Sequence, residues 1–147
     1  MKKAKEIIKS SDGKKIICVD VDEWKEIFEY INQDEKHKKK FRYICGIILD
    51  GHRNTDVYDK ENINDNCKDV TGMKFFKWND NDRIYCKEVS LEDKTFVVIA
   101  CRLLIKKKSQ KNNKKTNPII NSVGKSEYEI IRKKYPKSWF SIWQSIW

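Results

Sequence analysis

Arg83, Tyr85 and Lys87 alternate along the run Arg83-Ile84-Tyr85-Cys86-Lys87-Glu88-Val89. In an extended strand that alternation puts all three on one face. A guanidinium fork able to grip two phosphate oxygens, a phenol able to stack on a base and an ammonium point charge would project together. Ile84 and Cys86 would then face the core. The plainer reading is the solvent face of a sheet, which needs no ligand. A second set of candidates is the lysine run Lys106-Lys107-Lys108, followed by Lys111 and preceded by Arg102. Lysines at successive strand positions alternate faces, so only one or two of them reach a given phosphate. The rest, with Lys111, add long-range attraction and govern affinity more than turnover.

The charge distribution directs attention to the same stretch. Residues 1–101 hold 20 Lys/Arg and 20 Asp/Glu, whereas residues 102–137 hold 12 Lys/Arg against Glu127 and Glu129. The whole formal excess of +10 therefore sits after residue 101. A concentrated cationic stretch is what a polyphosphate attracts through counterion release. A solvated basic surface is the alternative.

Composition narrows the class. Apolar residues make up 39% and charged residues 37%, which implies a modest core under a charged surface, and 12% aromatics argue against a disordered chain. One domain over 1–147 is expected from this length. No run approaches the roughly 18 apolar residues of a membrane span, and Met1–Glu6 lacks a signal peptide's apolar core. Five cysteines at 18, 45, 67, 86 and 101 form no CxxC pair, and with only His37 and His52 there is no zinc spacing. The expectation is a cytoplasmic, reduced chain with no metal and no cofactor.

The elements that must position these residues can be read from periodicity. Lys15–Val19 is a short β-branched strand. Trp24, Ile27, Phe28 and Ile31 then recur at helical spacing behind Asp20 and Asp22, either of which can cap. A second helix is expected over Glu35–Leu49, ended by Gly51. Residues 50–69 are polar and aperiodic. Met73–Trp78, Arg83–Val89 and Thr95–Ile105, joined by turns at 79–82 and 90–94, read as an antiparallel meander. The near-continuous apolar run of its last strand implies burial on both faces. Pro118 suits the first turn of a helix capped by Asn117. Capping-box spacing at Ser126–Glu129 suggests another helix to Tyr135, stopped by Pro136. The predicted fold class is α+β: an N-terminal strand and two helices packed on an antiparallel meander, with C-terminal helices.

Residues 138–147 carry Trp139, Trp143 and Trp147 four apart on a helical stripe. The stripe can dock on the chain's own sheet, form a partner interface or stack on bases. The last is disfavoured by the absence of interleaved charge.

The order strand, two helices, long loop, meander and Lys-rich exit, with Arg83-Ile84-Tyr85 opening the middle strand and Phe96–Ile105 running into Lys106-Lys107-Lys108-Ser109-Gln110-Lys111, resembles the RelE/ParE toxin superfamily. Within it, the likeness is to the HigB or phage Gp49-like branch, over about residues 15–131. The resemblance implies a type II toxin: a metal-independent endoribonuclease that cleaves mRNA on the ribosome and is silenced by a cognate helix-turn-helix antitoxin. It further implies that Arg83, Tyr85, Lys106–Lys108 and Lys111 bind and stabilise the scissile phosphate. With the residues singled out above, the expected catalytic set is Arg83, Tyr85 and Lys107, and the expected nucleic-acid-binding set is Lys87, Arg102, Lys106, Lys108 and Lys111. Such a site would align the 2′-OH with the scissile phosphate and neutralise its developing charge. HigB-type toxins commonly carry a histidine near the end of the last strand. This chain has Ala100-Cys101-Arg102-Leu103 there. Two other functions remain: a ParE-like inhibitor of a topoisomerase, and a non-enzymatic nucleic-acid-binding module.

Overall fold

A computed structural model describes residues 1–76, 81–105, 112–132 and 137–147. The chain folds as β1 (Lys2–Lys9), β2 (Lys15–Asp20), α1 (Trp24–Ile31), α2 (Glu35–Asp50), β3 (Tyr58–Lys60), a 3-10 turn (Asp65–Cys67), β4 (Val70–Lys74), β5 (Arg83–Ser90), β6 (Phe96–Leu104), α3 (Thr116–Lys125), β7 (Tyr128–Ile131) and α4 (Lys137–Ile146). The strands form one sheet in the order β3-β4-β5-β6-β2-β1-β7. The β4–β5–β6 meander is antiparallel, as are β1 with β2 and β3 with β4, while β2 runs parallel to β6 and β1 parallel to β7. The α+β class and an antiparallel meander are present as expected, but its first strand is Val70–Lys74 and not Met73–Trp78, and residues 77–80 of that expected strand and turn lie outside the described residues.

Local chemistry accounts for the boundaries. Asp20 precedes α1 and its Oδ1 accepts the backbone N–H groups of Asp22 and Glu23, so it turns the chain before the helix starts. The Asp34 side chain accepts the N–H of His37 at the start of α2. Gly51 ends that helix at φ +73°, a left-handed conformation that glycine adopts without a Cβ penalty. Asn113, rather than the expected Asn117, caps α3: its Oδ1 accepts from the N–H groups of Lys115 and Thr116.

Two apolar layers sandwich the sheet. On one side Ile17, Val19, Ile84, Cys86, Val98 and Ala100 pack against α1, α2 and α4. On the other, Ile16, Cys18, Tyr85, Val97, Ile99 and Cys101 pack against Ile120 and Val123 of α3. β6 lies between β5 and β2 and is buried on both faces, as its apolar run implies. All five cysteines are free and buried. No described helix is long and apolar enough to cross a membrane.

Three expectations need correction. Residues 2–9 form β1, unforeseen because four lysines hide the buried Ala4 and Ile7. Residues 128–131 form a strand, not a helix, because β7 pairs with β1 and Lys2 donates to the Glu127 carbonyl. The 50–69 stretch contains β3 and the 3-10 turn.

The C-terminal tryptophans are the clearest packing result. Trp139 stacks on Trp24 at 4.9 Å and meets Phe28 edge-on, and Trp143 lies 5.4 Å from Phe28. Trp139 and Trp143 are buried, so these two are core residues and not an exposed partner interface; Trp147 is 46% exposed. Phe28, Phe41 and Trp24 from α1 and α2 leave the apolar recess that α4 fills. Trp143→Ala should therefore lower unfolding free energy by about 3–5 kcal/mol, and Trp147→Ala by about 1 kcal/mol or less, in denaturant titrations. Equal losses would contradict the placement.

Candidate nucleic-acid interface

The alternation of β5 holds, but its polar face is not open to solvent. Ile84 and Cys86 enter the layer under α1 and α2, and Tyr85 enters the layer under α3. Arg83 is 1% exposed and Tyr85 0% exposed. The expectation of a solvent-facing fork, phenol and ammonium is thereby corrected: α3, the 3-10 turn and the chain leading from β3 into it cover that face.

Arg83 sits beside a carboxylate that the sequence did not single out. Directly across from Tyr85 on β4 is Gly72. A Cβ there would collide with Glu61 Oε1 and touch Arg83 Cδ. The missing side chain is what lets the Glu61 carboxylate approach β5. Asn112 Nδ2 donates to Glu61 Oε2 at 2.8 Å and fixes it. Burial draws the Arg83 guanidinium below its ordinary pKa, and the Glu61 carboxylate acts in the opposite direction. Burial also pushes the Tyr85 phenol up, with Glu61 adding to the rise. Tyr85 stays a neutral phenol, and its hydroxyl has no hydrogen-bond partner among the described residues.

Lys87 is spent on the fold. Its Nζ donates to the Gly124 carbonyl at 3.0 Å and to the Ser126 carbonyl, and lies 3.7 Å from Asp69 Oδ2. The ammonium thus satisfies carbonyls at the C-terminus of α3, where a cation is favoured by the helix dipole.

The exposed cations lie elsewhere. Arg102 is exposed at the end of β6. Lys114, Lys115, Pro118, Ser122 and Lys125 are exposed on and beside α3, at a helical spacing that places them on its outward side. Between residues 112 and 126 there is no acidic residue, and Lys114, Lys115 and Lys125 make no ion pair among the described residues. A shallow groove runs along this surface, lined by Pro118, Asn121, Ser122, Lys125 and Ser126. Asn64 donates to Asn121 across its edge at 2.9 Å. Arg132, by contrast, pairs with Asp93 at 3.0 Å and Glu6 at 3.8 Å. Lys106, Lys107, Lys108 and Lys111 lie outside the described residues.

The structure therefore brings Arg83, Tyr85 and Lys87 together on one face and seals them, while leaving Arg102 and the α3 lysines in solvent. Glu61, Gly72 and Asn112 were missed because their proximity to β5 depends on pairing across β4. The absence of acids from 112 to 126 was the sequence signal for the α3 surface. Comparison of the chain with protein-family models, curated proteins and solved structures finds no match.

If Lys87 serves as a cap, Lys87→Met should cost about 1–3 kcal/mol, the range for leaving buried polar groups unpaired. Amide exchange should accelerate in α3 while α2 keeps its protection. Unchanged exchange in α3 would show that the ammonium is not what holds that helix.

Proposed function

We propose that this chain is a basic nucleic-acid-binding domain that grips its ligand through phosphate contacts from α3 and the cationic stretch around it. The carrying observation is the outward side of α3: three exposed lysines, Lys114, Lys115 and Lys125, that form no ion pair among the described residues, with no acid between 112 and 126. Asn121 and Ser122 stand between these lysines and add hydrogen-bonding groups for phosphate or sugar oxygens. An α-helix of ten residues spans about 15 Å, so lysines at its two ends reach different phosphates along one strand. In this reading Arg83, Tyr85 and Lys87 hold the sheet to α3 and do not touch the ligand.

A second reading, the ribonuclease toxin with an antitoxin partner, draws on one observation: β2, α1 and α2 precede the antiparallel β4–β5–β6 meander in the chain. That is the element order on which the RelE/ParE resemblance rests. For Arg83 and Tyr85 to act on mRNA there, α3 would have to leave the sheet and expose Ile120 and Val123, each worth about 1.5–3 kcal/mol of burial. The cost favours the binding reading.

The two differ in what happens to the ligand. Incubated with single-stranded RNA, or with translating ribosomes, the chain should bind RNA and leave it intact. Lys114→Gln/Lys115→Gln/Lys125→Gln should flatten the dependence of log affinity on log salt, by about 0.7 for each single-strand phosphate that is no longer neutralised. Arg83→Ala should leave that slope unchanged while lowering stability. New transcript ends that vanish with Arg83→Ala would establish the toxin reading instead.

A further inference from the structure

On a chain with a net charge of +10, the outward side of α1 is acidic. Asp22, Glu26 and Glu29 are exposed and Glu23 is half-buried, with Lys25 the one cation among them. None of these carboxylates forms an ion pair among the described residues. Burial raises the pKa of Glu23 and the neighbouring Glu26 raises it further, while Arg102 at the end of β6 and Lys2 act in the opposite direction. Beside this stripe runs a groove of about 480 Å³ between α1 and the end of β6, lined by Glu26, Glu29, Tyr30, Gln33, Leu103 and Ile105. Its floor is apolar, and Ile105 is 52% exposed. An apolar trough whose rim carries Glu26 and Glu29, with no ion pair to either among the described residues, suits a surface that sets lysines beside an apolar side chain.

α3 has that chemistry. Lys114, Lys115 and Lys125 flank the exposed Pro118 and the half-buried Ile119. It also lies on the opposite side of the sheet from α1, so it cannot reach its own groove. We propose that α3 of one copy docks in the α1–β6 groove of a second copy, so that the chain self-associates head to tail. The lysines of one copy meet Glu26 and Glu29 of the next, and Pro118 covers Ile105. Because donor and acceptor surfaces are different patches, the contact is heterologous and repeats from copy to copy. One short helix in a groove covers less than the roughly 1,200 Å² of a stable interface, so the association is weak and salt-sensitive. This inference shares the α3 lysines with the nucleic-acid reading, so bound RNA and a second copy exclude each other.

Sedimentation equilibrium of the full chain tests it. The average mass should rise with concentration in low salt and return to 17.6 kDa in high salt. Glu26→Lys/Glu29→Lys and Lys114→Glu/Lys115→Glu/Lys125→Glu should each remain monomeric alone, and their mixture should regain association. Ile105→Ser, a single change at an exposed site, should weaken association about tenfold, roughly 1.4 kcal/mol, without changing the circular dichroism. A parent that stays monomeric at every concentration, variants that associate like the parent, or a mixture that stays monomeric would each overturn the docking. Excess RNA should dissociate the assemblies. Assemblies that persist with RNA bound would defeat the α3 binding site for nucleic acid and leave the docking standing.

Discussion

A sheet whose central strand is apolar on both sides has to be covered twice. β6 sends Val98 and Ala100 to one side and Val97, Ile99 and Cys101 to the other. The first side receives α1, α2 and α4, and the second receives α3. Everything on the second face of β5 follows from that second cover. Tyr85 becomes a core side chain, Arg83 is enclosed beside Glu61, and Lys87 is drawn to the carbonyls that end α3. The guanidinium stays charged in a confined place because a carboxylate stands next to it, and that carboxylate has room because position 72 is glycine. The chemistry that looks catalytic in one dimension is therefore used for cohesion in three.

Much of the architecture was legible in the residues. The 3.6-residue spacing of Trp24, Ile27, Phe28 and Ile31, the Gly51 signal that ends α2, and the apolar run from Val97 to Cys101 each correspond to an observed element. What failed did so for identifiable reasons. β1 is rich in lysine, and its stability comes from pairing with β2 and β7, which no local pattern reports. Ser126–Glu129 has the letters of a capping box, yet Tyr128 is held extended, with its hydroxyl donating to the buried Asp20 at 2.6 Å. Tertiary pairing overrode local propensity in both cases.

The candidate site was less legible than the fold. Period-two alternation correctly grouped Arg83, Tyr85 and Lys87, but it carries no information on whether a helix more than twenty residues later will close over them. The tryptophans posed the same ambiguity between core and surface, and the recess left by Trp24, Phe28 and Phe41 resolved it for Trp139 and Trp143. Charge was the more durable signal, because unpaired lysines cannot be buried cheaply and so must end at the surface. The described residues thus set a cationic surface on α3 and an acidic one on α1, on opposite sides of the sheet.

Lysine-selective acylation read by mass spectrometry, with and without single-stranded RNA, tests the account most directly. Lys114, Lys115 and Lys125 should react readily in the free chain and be protected by RNA, while Lys87 should resist modification in both states. A reactive Lys87 that RNA protects, with α3 lysines indifferent to RNA, would contradict the account and return the face of β5 to the ligand.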